Sequence, residues 1–349
     1  MGSRSHPRGF VIAFLATVIA FSAFFGALSV YLEGPSGDLA RLGHWPERDF
    51  GWHSQQPPVF RRANGSAVPA PRILVLGDSF SRSNLWQSFL SSGDGEIQSY
   101  YYPEVGCISN WAKWASRKPY RSSTTVLIET VEREYVVRFA YLRFCAASKP
   151  RAFELAAGPF QAERSFLPLT TDVAFLWETA MNASRSSGPQ DRFVSGPVVN
   201  LGLTTGRFFS NRRSDRLLFY REDEDKRLWT QEELDAAAKN LKDIQQRFER
   251  AGVHMVMIVI PDKSTTYGPW LRSRPKQGQY QTIMAGLAAG GVHAIDVLAE
   301  FRRKLPGTVD LYYPDDTHLS PTGYRLLASA IAERLGKEGQ VHFDPESAK

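Results

Sequence analysis

The chain has 349 residues, 42 Lys and Arg against 36 Asp and Glu, and a formal net charge of +6. Beyond one apolar run near the N-terminus, the remaining three hundred or so residues hold no second stretch long and apolar enough to span a membrane, which excludes a multispanning helical protein and leaves room for one substantial core, or one core with an inserted lobe. The basic excess favours an anionic partner such as an acidic polymer or a lipid surface, but no basic run or nucleic-acid motif accompanies it, so solvated surface charge is the simpler reading and no nucleic-acid partner is expected.

In chain order, the first element is Phe10–Leu32, twenty-three consecutive residues without a charge. As a helix at ~1.5 Å per residue they reach about 34 Å, enough to cross a bilayer core. Arg4, His6 and Arg8 precede the run, and Glu33 and Asp38 follow it, which leaves the N-terminus in the cytoplasm and exports the rest. A cleaved signal peptide is the rival, but its apolar core is usually ~7–15 residues. Residues 1–32 therefore read as a stub and anchor. Residues 33–70 are rich in Gly, Pro, Arg and Ser and read as a tether with one ordered patch, Asp49-Phe50-Gly51-Trp52. Five short apolar runs follow: Ile73–Leu76, Ile97–Tyr102, Thr125–Glu129, Met255–Ile260 and Ala294–Val297. They are β-branched or aromatic, and several are apolar throughout, as strands of a parallel sheet buried on both faces are. Between them, Thr230-Gln231-Glu232-Glu233 is a capping box that opens a helix through Leu234, Leu241 and Phe248 and ends at Gly252. Ser320-Pro321 predicts the start of a last helix carrying Leu327, Ile331 and Leu335. The alternation predicts an α/β fold, a three-layer αβα sandwich over residues 71–336. Residues 149–227 break the rhythm and read as an insertion or a cap over the site, and 337–349 as a tail. Cys107 and Cys145 are compatible with one disulfide in an oxidising compartment, or with two buried thiols.

Two motifs carry chemistry. Gly77-Asp78-Ser79 follows the first strand, and Asp315-Asp316-Thr317-His318 leads into the last helix. Ligands of open α/β sheets bind at the carboxyl ends of the strands, where Ser79 sits. A serine there is often only a helix N-cap; it also points its own N–H where an oxyanion forms. His318 alone is more often a satisfied core or surface histidine. A neighbouring carboxylate changes that, because it fixes the tautomer that accepts a serine proton. Together the motifs predict a nucleophile, a base and an orienting acid, hence acyl transfer or ester hydrolysis. No metal-ligand cluster or nucleotide loop is visible, and no cofactor is expected.

On these residues the chain resembles the SGNH (GDSL-type) hydrolase superfamily over about residues 71–336. Within it, the chain is most similar to the polysaccharide O-acetyltransferases of alginate acetylation (the AlgJ/AlgX type). The likeness rests on Asp316-Thr317-His318, on Glu129-Thr130-Val131-Glu132-Arg133, on Ile260-Pro261-Asp262-Lys263 with Tyr267, and on Gly37–Arg41 through Phe50-Gly51-Trp52. There are departures. Ser79 precedes His318, the order of ordinary SGNH hydrolases and the reverse of the alginate enzymes. Leu319 stands where those have Trp. The superfamily's Gly-x-Asn-Asp block, whose Asn donates to the oxyanion, is absent.

The resemblance implies Ser79 as nucleophile and His318 as base. Ordinary SGNH spacing selects Asp315 as the acid and alginate-type spacing selects Asp316; the Asp-Thr-His string favours Asp316, with Asp315 open. The oxyanion donors implied are the N–H groups of Ser79 and Gly106. Glu132, Arg133 and Lys263 are candidates for substrate contact, with a structural ion pair equally open for the first two and an ordinary strand-end lysine the simpler reading of the third. The expected protein is an inner-membrane, single-pass O-acetyltransferase with its catalytic domain in the periplasm. It would acetylate an exported polysaccharide, with a membrane-bound O-acyltransferase delivering the acetyl group. A periplasmic esterase or deacetylase is the first alternative, and a non-catalytic polysaccharide-binding scaffold the second.

Overall fold

The computed structural model describes residues 7–32, 35–64, 71–91, 97–117, 124–141, 152–160, 172–186, 188, 190–273, 279–336 and 342–343. The apolar runs become strands β1 (Ile73–Gly77), β2 (Ile97–Tyr101), β3 (Thr125–Val131), β4 (His254–Ile260) and β5 (Ala294–Ile295). They pair in parallel in the order β5-β4-β3-β1-β2. Successive side chains enter opposite layers: Ile73, Val75, Leu127, Val256 and Ile258 join one apolar cluster, and Leu74, Leu76, Val126, Ile128, Met255 and Met257 another. Both faces are buried, which is why these strands read as continuous apolar runs.

After the N-terminal helix α1 (Pro7–Leu32) and a single turn α2 (Ser79–Arg82), helices cover both faces. On one lie α3 (Ile108–Ala115), α4 (Gln231–Arg250) and α5 (Tyr280–Ala289); on the other lie α6 (Val297–Lys304) and α7 (Pro321–Gly336). The result is a three-layer αβα sandwich. The capping box opens α4 as expected: Glu233 N–H donates to Thr230 Oγ1 at 3.2 Å, and Thr230 N–H to Glu233 Oε2 at 2.8 Å. Losing such a cap costs about 1 kcal/mol, while truncating a stripe residue such as Leu241 or Phe248 costs ~2–5 kcal/mol. The chain leaves β1 for the edge strand β2 and then crosses back to β3, so the order in which parallel strands are added reverses between β1 and β3. The crevice at that switch point opens over the carboxyl end of β1.

Helix α1 is apolar and exposed along Phe10, Ile12, Phe14, Ile19 and Phe21, and from Gly9 to Leu32 it is long and apolar enough to cross a membrane. Its last turns meet the rest of the chain, with Leu32 buried and the Arg48 guanidinium 3.9 Å from the Tyr31 ring centroid.

Residues 35–64 depart from the tether expectation. Leu39, Ala40, Trp45 and Phe50 are buried and share a third apolar cluster with Val198 and Leu218. Those last two belong to an antiparallel sheet (192–195, 198–202 and 216–220) that follows the helix Val173–Ser186 inside the insertion. A Gly- and Pro-rich stretch thus becomes ordered because its few large apolar side chains find a partner far along the chain. Val59–Arg61 pairs with Gly158–Phe160, and His342–Phe343, in the expected tail, pairs with Leu90–Ser91. Cys107 is disulfide-bonded; Cys145, the other cysteine of the chain, lies outside the described residues.

Candidate active site

Strand β1 ends at Gly77 and the chain turns at once. A Cβ at this position would lie 2.3 Å from Ser81 Oγ and 2.6 Å from Glu129 Oε2, so the approach of β1 to β3 requires glycine. Asp78 then caps α2, its Oδ1 accepting from Phe80 N–H at 3.0 Å and its Oδ2 from Val131 N–H of β3 at 2.7 Å. Glu129 Oε2 accepts from Asp78 N–H at 3.1 Å and from the Ser81 hydroxyl at 2.6 Å. Burial first, and then the charge of Asp78, push the Glu129 carboxyl well above its ordinary pKa beneath the turn. Ser79 is left at the first position of α2, and its N–H has no acceptor among the described residues.

The histidine arrives from the opposite end of the chain. His318 Nε2 lies 2.9 Å from Ser79 Oγ, and Nδ1 lies 2.7 Å from Asp316 Oδ1. The same carboxylate oxygen accepts the His318 N–H at 2.8 Å, and the Phe80 ring packs 4.9 Å from the imidazole. Burial works to lower the His318 pKa, but the adjacent Asp316 carboxylate outweighs it and, with Asp38, lifts it above 6.5. Burial likewise works to raise Asp316, yet the charge and hydrogen bonds of His318 hold it well below the usual carboxylate range. Asp315 turns away: its Oδ2 accepts from Ser36 Oγ and Gly37 N–H, each at 3.1 Å. Of the two candidate acids, Asp316 is the one brought to the imidazole. The side chain of His318 is 30% exposed; with Ser79, Arg82, Phe160, Tyr313, Asp316 and Leu319 it lines an open cavity of about 380 Å³.

Buried charge holds this loop in place. Lys263 Nζ donates to the carbonyls of Tyr313 (2.8 Å), Pro314 (3.1 Å) and Asp316 (2.9 Å). Burial pushes the Lys263 ammonium down to about 8, against the pull of Asp315, Asp316 and Asp38. Next to it, Glu132 and Asp262 pair with Lys226 at 2.9 and 2.6 Å, and Arg133 pairs with Asp262 at 2.7 Å. Burial, then Asp262, raise Asp223 in the same network to about 8. Glu132, Arg133 and Lys263, the sequence candidates for substrate contact, are thus bonded to protein groups and do not line the cavity. Gly106 follows a short turn after β2 with φ 74°; its N–H has no acceptor among the described residues, and it too is outside the cavity lining.

Several supporting groups escaped the sequence reading. Asp38 Oδ1 accepts from Thr317 N–H at 2.8 Å, Asp38 Oδ2 from the Tyr220 hydroxyl at 2.9 Å, and Asp38 N–H donates to Asp316 Oδ2 at 3.1 Å. Lys226 and Asp223 come from the insertion. Glu129 stands as a charged residue inside an otherwise apolar run, and Asp38 lies in the Gly37–Arg41 stretch on which the resemblance rests, but neither has a site role assigned by that pattern, and Tyr220 carries no signal. Asp38, Asp316 and His318 bring potential ligand atoms within 4.8 Å of one another, and each is engaged by a hydrogen-bond donor or acceptor of the chain.

Part of the chain is similar to known proteins. Residues 214–349 match the family described as "SGNH hydrolase-like domain, acetyltransferase AlgX"; this segment contains Lys263, Asp316 and His318 but not Ser79. A protein named probable alginate O-acetylase AlgJ from Pseudomonas aeruginosa is 34% identical over 103 residues, 28% of this chain and 25% of that protein. Proteins of the same name from Pseudomonas fluorescens (24% over 110 residues, 30% of this chain and 28% of the relative) and Pseudomonas putida (25% over 112 residues, 31% and 29%) are also similar. The chain spans less than a third of the length of these curated relatives. No solved structure matches the chain significantly. Through its C-terminal part, residues 214–349, the chain is similar to the SGNH hydrolase-like acetyltransferases of the AlgX and AlgJ type.

Proposed function

We propose that this chain is an O-acetyltransferase that acetylates hydroxyls of an exported polysaccharide through an acetyl-serine intermediate. The observation that carries the reading is the hydrogen-bonded line Ser79–His318–Asp316, at 2.9 and 2.7 Å, on the rim of an open cavity. In the first half-reaction Ser79 Oγ attacks the acetyl carbonyl while His318 Nε2 takes the hydroxyl proton. The bond to the leaving group breaks, and the imidazolium returns the proton to it. In the second, a sugar hydroxyl gives its proton to Nε2 and attacks the acetyl-serine. The ester passes to the sugar, and Ser79 regains its proton from His318. Asp316 holds the Nδ1–H and stabilises the imidazolium. The Ser79 N–H, with Gly106 N–H as second donor, binds the oxyanion.

Helix α1 serves in this reading as a single-pass anchor in the inner membrane, with the catalytic part in the periplasm. Acetyl-CoA is not expected there, so a membrane-bound O-acyltransferase supplies the acetyl group. One observation favours a second reading, hydrolysis: the 30% exposure of His318 gives water access to the acyl-serine. A bound sugar competes through positioning, worth up to ~10⁵ M or more in effective concentration. The test uses the full chain in detergent with p-nitrophenyl acetate and a panel of oligosaccharides, beside Ser79→Ala and His318→Ala. Acetyl groups found on sugar, dependent on both residues, support the transferase. The same dependence with only free acetate, across the panel, supports the esterase. Turnover independent of both residues in folded protein removes both enzyme readings and favours the scaffold.

A further inference from the structure

We infer that Asp38 is a positioning residue for His318, so that the segment immediately following α1 is a working part of the catalytic centre. The inference rests on the Ser79–His318–Asp316 reading above. Gly37 lies so close to the histidine loop that a Cβ there would sit 2.2 Å from Asp315 O, and Ala40 N–H donates to that same carbonyl at 3.0 Å. Between these two contacts Asp38 fastens the loop twice. Its backbone N–H occupies Asp316 Oδ2 at 3.1 Å, leaving Oδ1 to the imidazole at 2.7 Å. Its side chain takes Thr317 N–H at 2.8 Å, between the acid and the base. The Tyr220 hydroxyl, at 2.9 Å, fixes Asp38 in turn. A carboxylate that only braced a loop would need no second carboxylate as neighbour. Here two acids share the space beside one imidazole, and each arrives from a different end of the chain.

The charged and titratable groups around His318 among the described residues are Asp316 and Tyr313 on its own loop, Asp38 on the N-terminal segment, Arg82 of α2 and Tyr324 of α7 in the same cavity lining, Arg133 beyond β3, and Lys263 and Tyr220 behind the two acids. Asp316 and Asp38 favour the imidazolium and Arg133 opposes it. Asp38 therefore acts in two ways: it sets the orientation of Asp316, and it adds negative potential that sets the pH at which His318 becomes a competent base.

The experiment measures pH–rate profiles of the full chain in detergent with p-nitrophenyl acetate. The same His318 ionisation is read without turnover by NMR titration of the imidazole, with His318→Gln identifying its resonance. Asp38→Asn keeps the shape and removes the charge; its acid limb and imidazole titration move down by about one pH unit. Asp38→Glu keeps the charge but displaces the hydrogen bonds; kcat falls ~10-fold while KM and the acid limb stay in place. Tyr220→Phe, which removes a single hydroxyl, is the variant least able to disturb folding; its kcat falls ~2–5-fold at constant KM. A merely structural role would lower the melting temperature and the active fraction and leave limb and titration where they are; that result, or wild-type behaviour of folded Asp38→Asn and Tyr220→Phe, overturns the inference. Ser79→Ala separates the two levels. If it abolishes turnover while Asp38→Asn shifts nothing, this inference alone fails; if it retains turnover, the serine reading fails, and the NMR titration still decides the role of Asp38.

Discussion

The two halves of the site are built by opposite means. The serine half is local: a buried strand, a glycine where no Cβ fits, an aspartate cap and a one-turn helix follow one another within Ile73–Arg82. Its supports from further along the chain include the flanking strands β2, paired with it through Gly77 and Tyr101, and β3, which contributes Glu129 and the Val131 N–H. The histidine half has almost no regular structure of its own. Residues Tyr313–His318 are held by Lys263 from the end of β4, by Gly37 and Asp38 from the segment after α1, and by Tyr220 acting through Asp38 from the insertion. A nucleophile needs only a sharp turn and a free N–H, which a strand end provides. A base must have its ring, tautomer and charge fixed together, and a loop acquires that only from several remote segments.

Breaking either half should abolish turnover of p-nitrophenyl acetate. Ser79→Ala and His318→Ala each reduce kcat/KM by ~10³-fold or more, and the double variant is little worse than either alone, since the groups act as a unit. The adjacent acids sharpen the comparison. Asp316→Asn loses ~10²–10⁴-fold because it unsettles the tautomer of His318, whereas Asp315→Asn stays within ~3-fold. Burial, with Glu47 and Asp316, already raises Asp315 well above the ordinary carboxylate pKa, and it faces Ser36 and Gly37. Steady-state rates at fixed pH decide between them, and equal losses would erase the distinction.

Smaller effects probe the clamp. Lys263→Met removes three donors from the histidine loop and lowers kcat ~10–100-fold. With His318 raised above 6.5, wild-type activity rises through an acid limb above that value. It falls again near 8 as Lys263 loses its proton and one donated hydrogen bond with it; in Lys263→Met this alkaline limb is missing from the pH–rate profile. The smallest effect is beneath the serine. Glu129→Gln accepts the same two hydrogen bonds with no ionisable group, so stability below pH ~4.5, where Glu129 is protonated in both states, changes by about 1 kcal/mol or less. Glu129 has a raised folded-state pKa, so its protonation favours folding fully below the ordinary 4.5, and that contribution is lost as pH rises towards the folded value. Denaturant melts of Glu129→Gln across pH 4–8 should decline less steeply with rising pH than those of the wild type.

This division also explains what was legible in the sequence. The sheet was, because strands buried on both faces must be apolar at every position, and the capping box at Thr230 left a local signature. Ser79 and His318 were visible because the turn and the Asp-Thr-His string are contiguous. The choice between Asp315 and Asp316 was open in spacing; in the fold Asp316 meets the imidazole, while Asp315 faces Ser36 and Gly37. Asp38 was invisible as a site residue because it is a single acid in a Gly- and Pro-rich stretch, and its neighbours Thr317 and Tyr220 are 279 and 182 residues away. Lys226 and Asp223 were hidden for the same reason: in sequence they belong to a charge run that resembles a solvated face, and only folding buries them against Glu132 and Asp262.

The most direct test of the account is to quench the full chain after brief exposure to p-nitrophenyl acetate and map acetylation by peptide mass spectrometry. The account predicts an acetyl ester on Ser79 that forms in wild-type protein, is lost in Ser79→Ala, and forms far more slowly in His318→Ala. Acetyl groups only on lysines or on another hydroxyl, with Ser79 unmodified in folded protein that still releases nitrophenol, would contradict it.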